Sequence, residues 1–242
     1  MILEKPATFL ANEVKELEQV AAQNSVKIFG ILQVRLNPAV IIAKAAIEQG
    51  LLGHIRGASL IQRWQRPLSY FSGWRGSMAS GGGILREFGV HYLDAMQYLV
   101  GVPKVVSASF FNNKFYHTDV NDTIYALFDF GKFGGSMEIS IAAEPRNLEC
   151  TLSIMGESGF LKLGGKSLDE IVANEFLQDD QTDKFAAIKD DVIKRQVAVL
   201  ASTGASPYHP ELYRQLVLNE ETFALGQMYN VIDLVERIYA EQ

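Results

Sequence analysis

The sequence of 242 residues has one cysteine, Cys150, and no run of about 20 apolar residues. A single thiol excludes an internal disulfide and a metal site built from several thiolates. Without a long apolar run, we expect no membrane-spanning helix. The start, MILEKPATFL, also lacks the basic segment, apolar run and cleavage site of a secretory signal. These absences favour a soluble, cytoplasmic protein.

The sequence also lacks an excess of positive charge. It has 22 Lys and Arg residues against 28 Asp and Glu residues, so the formal net charge is -6. No basic stripe is present, and we therefore expect no nucleic-acid partner. Hydrophobic residues make up 48% of the chain, which is typical of a folded domain. The length fits one large domain, or one domain with a fragment of another.

A third absence concerns glycine. No G-x-G-x-x-G follows a predicted strand, and Gly81-Gly82-Gly83 has a different spacing and follows a loop. The glycine-rich turn that holds the phosphates of a dinucleotide is therefore not encoded in this chain.

Residues 1–35 predict a parallel strand–helix–strand unit. Asn12 is a candidate helix cap, and VKIFGILQV (26–34) is apolar on both faces, like a strand buried between helical layers. Asn37-Pro38 then begins a second helix that stops at Gly50. We interpret this unit as the last strand–helix–strand of a truncated α/β sheet.

The pattern of residues 36–242 predicts an α+β domain with an open, mostly antiparallel sheet and helices on one face. Alternating apolar residues and turn-forming residues indicate the strands. They are predicted at 54–64, 105–111, 122–130, 134–143, 147–156 and 160–165. Helices are predicted between Gly83 and Gly101, at about 184–202 and at 209–240.

Lys5 lies in Glu4-Lys5-Pro6, just after a short apolar start. Ligands of open parallel sheets bind at the carboxyl ends of strands. A lysine there could donate to a substrate hydroxyl or lower the pKa of that hydroxyl. The alternative is a plain surface lysine.

Glu87 and His91 are four residues apart on a predicted helix, a spacing that places both on one face. A carboxylate beside an imidazole orients it and raises its basicity, which suits a general base. The alternatives are an ordinary solvated pair, or a metal site completed by His117 and Asp119, which lacks a tight ligand cluster.

Aromatic and arginine residues are concentrated before the glycines: Trp64, Arg66, Pro67, Tyr70, Trp74 and Arg75. Arginine binds phosphate or carboxylate through two parallel hydrogen bonds, and flat rings pack on sugars or bases. The segment is either a binding loop or a loop that covers the core. Tyr116-His117-Thr118-Asp119 is likewise a binding loop or a simple connection between strands.

Several motifs in this order resemble the Gfo/Idh/MocA oxidoreductase family from residue 2 to about residue 240. They are EKP, VRLNP, WRGS with GGG and GVHYLD, HTDVNDT, and NLECTLSIMGESGFLKLGG. The resemblance implies an N-terminal Rossmann domain followed by an open-sheet domain, and a cofactor, NAD or NADP. Residues 1–35 would be the tail of the Rossmann domain, so we expect no cofactor binding by this chain alone.

The resemblance also assigns roles. Lys5 would lie near the nicotinamide and the reacting hydroxyl, as a catalytic and cofactor-binding residue. His91 falls on the catalytic histidine of the family. The residue four positions before it is usually Asp, or Asn in some branches, whereas this chain has Glu87.

Within the family, RWQRPLSYFSGWRGS resembles the branch that oxidises the C3 hydroxyl of UDP-linked N-acetyl sugars and their uronic acids with NAD. Candidate substrate contacts are Arg35, Arg66, Trp74, Arg75 and His117. The resemblance also implies a homodimer or tetramer that associates through the outer face of the sheet. Two hypotheses stay open: the substrate-side part of an enzyme that is inactive alone, or a non-catalytic dimerising or sugar-binding module.

Overall fold

The computed structural model describes residues 1–203, 208–218 and 221–242. Strands β1 (Ile2–Leu3) and β2 (Phe29–Gly30) pair in parallel and are joined by helix α1 (Ala11–Gln23). The second strand is much shorter than predicted, because a 3-10 turn over Gln33–Leu36 follows it. Buried side chains after β2 enter the common core, which accounts for the apolar character of this stretch.

The cap of helix α1 lies two residues before the predicted cap, Asn12. The cap position is Leu10, and the Glu13 carboxylate accepts hydrogen bonds from the backbone N–H groups of Phe9 and Leu10. An acidic side chain in the first turn therefore satisfies the helix start. Helix α2 (Pro38–Glu48) agrees with its prediction and ends just before Gly50, which has a φ of 74°.

The main sheet has seven strands in the order β4-β5-β6-β3-β7-β8-β9. All neighbouring pairs are antiparallel except β3 and β6, so the predicted mostly antiparallel sheet is confirmed. The strands are β3 (Ile55–Arg63), β4 (Lys104–Phe111), β5 (Thr123–Asp129), β6 (Gly134–Ser140), β7 (Glu149–Gly156), β8 (Gly159–Gly164) and β9 (Glu170–Phe176). The edge strand β9 was not predicted.

One face of this sheet is covered by helices. Helix α3 (Val90–Val100) packs on β3, α2 packs on β8, and α6 (Tyr229–Tyr239) packs on β4. The inward side chains are fully buried, among them Leu60, Met137 and Leu152. Side chains on the opposite face are more exposed, as the period of two in each strand requires.

The helical stretch predicted at 209–240 is helical over much of its length but is not one continuous helix. The chain forms α5 (Tyr208–Val217), two short 3-10 segments (Glu221–Phe223 and Leu225–Met228) and then α6. Between these segments the backbone runs along β2, where Leu225 N–H donates to the carbonyl of Ile28. Helix α4 (Asp179–Thr203) precedes them and starts earlier than predicted. Within the described residues, no helix is long and apolar enough to cross a bilayer.

Candidate active site

The helix that carries Glu87 and His91 starts with a π-helical turn, Leu85–Gly89, and continues as α3. The glycines before it allow a close approach, because a Cβ on Gly82 would lie 2.3 Å from the carbonyl oxygen of Arg75. At the first turn, the backbone N–H of Leu85 donates to the Tyr239 hydroxyl at 3.2 Å. The glycine run therefore holds the helix start directly against the segment that contains Arg75.

Lys5 reaches this helix from the N-terminal unit. It follows β1, and its Nζ donates to the backbone carbonyl oxygen of Glu87 at 2.6 Å. Burial lowers the pKa of Lys5, and the nearby carboxylates of Glu87 and Glu4 oppose that effect. The predicted lysine thus lies partly buried beside the predicted helix.

The carboxylate of Glu87 lies next to Tyr70 and Arg75 and not next to His91, its predicted partner. Tyr70 donates its hydroxyl hydrogen to Glu87 Oε1 at 2.9 Å, and Arg75 Nε lies 3.5 Å from the same oxygen. The predicted contact between Glu87 and His91 is therefore wrong for this structure. The groups next to the carboxylate, Tyr70 and Arg75, come from a segment 17 and 12 residues earlier in the chain, and the four-residue rule says nothing about such contacts.

His91 has an unusual environment for a histidine. Its Nδ1 is buried and has no hydrogen-bond partner among the described residues. Burial, and secondly the charge of Lys5, lowers the pKa of His91 to about 3. The imidazole is therefore neutral at physiological pH, and a ring nitrogen is left to accept a hydrogen bond from a ligand.

The aromatic and arginine residues form a cluster beside the helix. The Arg66 guanidinium lies 4.8 Å from the ring centre of Trp64, 4.7 Å from that of Phe88 and 5.5 Å from that of Tyr70. Such stacking holds a charged group over flat apolar surfaces. Tyr70 lies between the guanidinium groups of Arg66 and Arg75, and Arg75 also stacks on Trp74. Of these residues, Tyr70 and Arg75 lie next to the Glu87 carboxylate.

Two predicted substrate contacts have other surroundings. Arg35 is buried and forms a bidentate pair with Asp94, so the structure engages its guanidinium inside the protein. His117 is exposed and contacts the ring of Tyr116. Its loop is nonetheless tied to the arginine segment, because Asp119 accepts a hydrogen bond from Met78 N–H at 2.9 Å.

The proposed metal ligands do not form a cluster. Within the described ranges, no three His, Cys, Asp or Glu side chains are arranged to hold a metal ion. Sequence patterns gave no role to Asp94 or Tyr239 and placed Tyr70 only in the aromatic and arginine segment. In the structure, Tyr70 contacts Glu87, Tyr239 contacts Leu85, and Asp94 on α3 binds Arg35. Their partners are 17 to 154 residues away, and local spacing carries no signal for such contacts.

The fold and the site define an open-sheet α+β domain joined to a parallel α/β unit, with a lysine of the unit touching a helix of the domain. Residues 40–162 match the family described as the GFO/IDH/MocA C-terminal domain. The chain belongs to the GFO/IDH/MocA family, and its relatives include NAD(P)-dependent dehydrogenases of sugars and polyols.

Two curated relatives are the levoglucosan dehydrogenase of Pseudarthrobacter phenanthrenivorans and the scyllo-inositol 2-dehydrogenase (NADP(+)) of Bacillus subtilis. The first is 31% identical over 112 residues, which are 45% of this chain and 28% of the relative. The second is 26% identical over 142 residues, which are 57% of this chain and 39% of the relative. The matched regions therefore span well under half of each relative.

A solved structure supports the fold over nearly the whole chain. The WlbA dehydrogenase of Bordetella pertussis, in complex with NADH and UDP-GlcNAcA, matches with a TM-score of 0.82 and 24% identity. The match covers 99% of this chain and 69% of that protein. At this identity the match establishes the shared fold.

Proposed function

We propose that this chain is the substrate-binding and oligomerisation part of an NAD(P)-dependent oxidoreductase that acts on a sugar hydroxyl. The proposed substrate is a UDP-linked N-acetyl sugar or its uronic acid, oxidised at C3. The observation that carries the proposal is the convergence of Lys5, a neutral His91 and the arginine cluster around Glu87. A hydroxyl and an anionic group of one ligand could be bound there together.

The chain's own residues suit the handling of a hydroxyl proton. The neutral imidazole of His91 can accept the hydrogen of a substrate hydroxyl, and the Lys5 ammonium can stabilise the developing negative charge on that oxygen. Both groups are partly withdrawn from water, which strengthens their electrostatic effect. Glu87 would not orient His91 in this arrangement.

The described residues do not fit a whole dinucleotide. The unit β1–α1–β2 offers Lys5 but no glycine-rich turn for the phosphates. We propose that residues 1–35 complete a dinucleotide-binding domain of the Rossmann type, and that residues 36–242 form the substrate and oligomerisation domain. On this proposal the 242-residue chain alone does not bind NAD or NADP and is inactive. Likeness to a dehydrogenase solved with NADH supports the cofactor class.

The arginine cluster supports an anionic sugar ligand. Trp74 is half exposed, and the Arg75 guanidinium lies 4.7 Å from its ring. A planar guanidinium binds a phosphate or carboxylate in a bidentate manner, and an exposed indole packs on a sugar or base. The relative solved with UDP-GlcNAcA adds support for a nucleotide sugar.

Calorimetry on the 242-residue chain tests this proposal. We expect saturable binding of UDP-GlcNAcA and no binding of NAD. Arg75→Ala should weaken UDP-GlcNAcA binding about tenfold or more, because a charge-assisted contact is lost. The matched control is Arg56→Ala, an exposed arginine on β3, which should bind like the wild type. Tight NAD binding, or equal affinity of Arg75→Ala and the wild type, would contradict the proposal.

We also propose that two copies of the chain associate through the open sheet face. This face carries exposed apolar side chains, including Val106, Tyr125, Leu127 and Met155. Shallow depressions of about 350 Å³ and 730 Å³ lie between them. Apolar surface of this kind favours a protein interface.

Sedimentation measurements check the association. The wild type should sediment as a dimer or tetramer at micromolar concentration, and Leu127→Lys should be monomeric, because a charge in an apolar interface is costly. Leu177→Lys is the control, since Leu177 is 76% exposed just after β9. A monomeric wild type would refute the proposed interface, as would an unchanged mass for Leu127→Lys.

A further inference from the structure

The carboxylate of Glu87 lies between a neutral donor, Tyr70, and a positively charged donor, Arg75. The neutral hydroxyl of Tyr70 donates to Oε1 at 2.9 Å, whereas the charged Arg75 approaches the same oxygen only to 3.5 Å. The side chain of Glu87 is 19% exposed, and that of Arg75 is 39% exposed. The carboxylate is therefore well inside the site, while the guanidinium borders solvent.

Arg75 is close to Glu87 without forming a hydrogen bond to it. Its Nε is buried and lacks a hydrogen-bond partner among the described residues. The guanidinium is positioned instead by rings, at 4.7 Å from the ring centre of Trp74 and 5.2 Å from that of Tyr70. An arginine in this state keeps its donors for an incoming carboxylate or phosphate.

The nearest competitor for those donors is Glu87 itself. A side-chain rotation that moves the Glu87 oxygen by less than about one ångström would bring it within charge-assisted hydrogen-bond distance of Arg75 Nε, which is now 3.5 Å away. The hydrogen bond from the Tyr70 hydroxyl restrains this movement, because it holds the same oxygen at its present position.

We propose that Tyr70 is a positioning residue, which holds Glu87 back so that Arg75 can bind an anionic group of the ligand. This inference rests on the proposed function, since it concerns the same ligand. The anionic group is a carboxylate of the sugar or a phosphate of the nucleotide. Tyr70 acts through Glu87 and not through its own contact with the ligand.

A double-mutant cycle measured by calorimetry tests this role with UDP-GlcNAcA and UDP-GlcNAc. Tyr70→Phe keeps the ring under Arg75 and should weaken binding about fivefold, the effect of one net hydrogen bond. Glu87→Gln removes the competing charge and should tighten binding several-fold. In the Glu87→Gln background, adding Tyr70→Phe should change the affinity less than about twofold. Tyr213→Phe, an exposed tyrosine on α5, is the matched control.

The two ligands identify the anion. An effect on UDP-GlcNAcA alone assigns Arg75 to the sugar carboxylate, and an equal effect on both assigns it to a phosphate. An equal loss from Tyr70→Phe in both Glu87 backgrounds indicates a merely structural tyrosine and overturns the inference. If Tyr70→Phe does not fold, Glu87→Gln decides alone, and unchanged or weaker binding by that variant overturns the inference. If the wild type binds neither ligand, the proposed function fails first; if it binds without the coupling, only this inference fails.

Discussion

Replacing Asp94 by alanine is expected to lower the free energy of unfolding by about 3–5 kcal/mol, because it removes the counter-charge of a buried guanidinium. Arg35 Nε donates to Asp94 Oδ2 at 2.9 Å, and Nη2 donates to Oδ1 at 2.7 Å. The two side chains are only 7% and 2% exposed. The ring of Tyr98 lies 4.8 Å from the guanidinium but cannot replace a carboxylate.

Urea unfolding at neutral pH measures this effect. The control is Asp191→Ala, which removes an exposed pair with Arg195 and should cost less than about 0.5 kcal/mol. Exchange of both partners for apolar residues, as in Arg35→Met with Asp94→Leu, should recover much of the loss. A loss below about 1 kcal/mol for Asp94→Ala would show that the buried pair is not a main support of the fold.

The same pair explains why Arg35 lacks the surroundings of a substrate contact. Arg35 lies in the 3-10 turn after β2, and Asp94 lies on α3, one turn beyond His91. The pair therefore links the N-terminal unit, which supplies Lys5, to the helix that supplies His91. From the sequence, Arg35 was predicted to contact the ligand because it lies near the expected cleft. Its actual partner, the buried Asp94, is 59 residues away, so no local pattern indicates the pair.

The sheet could be predicted because each strand has a strong local pattern. In β5, for example, Ile124, Ala126 and Phe128 are buried, whereas Tyr125 and Leu127 are exposed. Strand β9 was missed because it lies at the sheet edge, where residues such as Asn174 and Glu175 do not alternate clearly with apolar ones. Edge strands bury less surface and carry a weaker signal.

The sequence indicated which residues of the candidate site could carry chemistry, but not which side chains contact one another. Lys5, Glu87 and His91 stood out as chemically capable residues, and the structure brings Lys5 to the helix of the other two. The π turn could not be read from sequence, since the residues of Leu85–Gly89 also suit an α-helix. The contact of Glu87 with Tyr70, 17 residues away, also has no local signal in the sequence.

Because of His91, the free energy of unfolding should depend on pH between about 3 and 6.5. In the folded chain, burial and the charge of Lys5 lower the pKa of His91 to about 3, from the 6.5 of an ordinary histidine. Between these values the unfolded chain binds the proton more strongly than the folded chain, so stability rises with pH. This group has almost no effect on the free energy of unfolding above pH 6.5, where it is neutral in both states, and it lowers that free energy increasingly as the pH falls towards 3. Between pH 7 and pH 4 the decrease amounts to about 3 kcal/mol.

Urea unfolding of the wild type and His91→Asn at several pH values isolates this contribution from that of the carboxylates. The difference in unfolding free energy between the two proteins should shrink by about 3 kcal/mol from pH 7 to pH 4, because asparagine does not titrate. His54→Asn, which replaces an exposed histidine, is the control for the substitution itself. A parallel profile for His91→Asn would mean that His91 is protonated in the folded chain like an ordinary histidine. A neutral imidazole would then not be the acceptor of the substrate proton at mildly acidic pH.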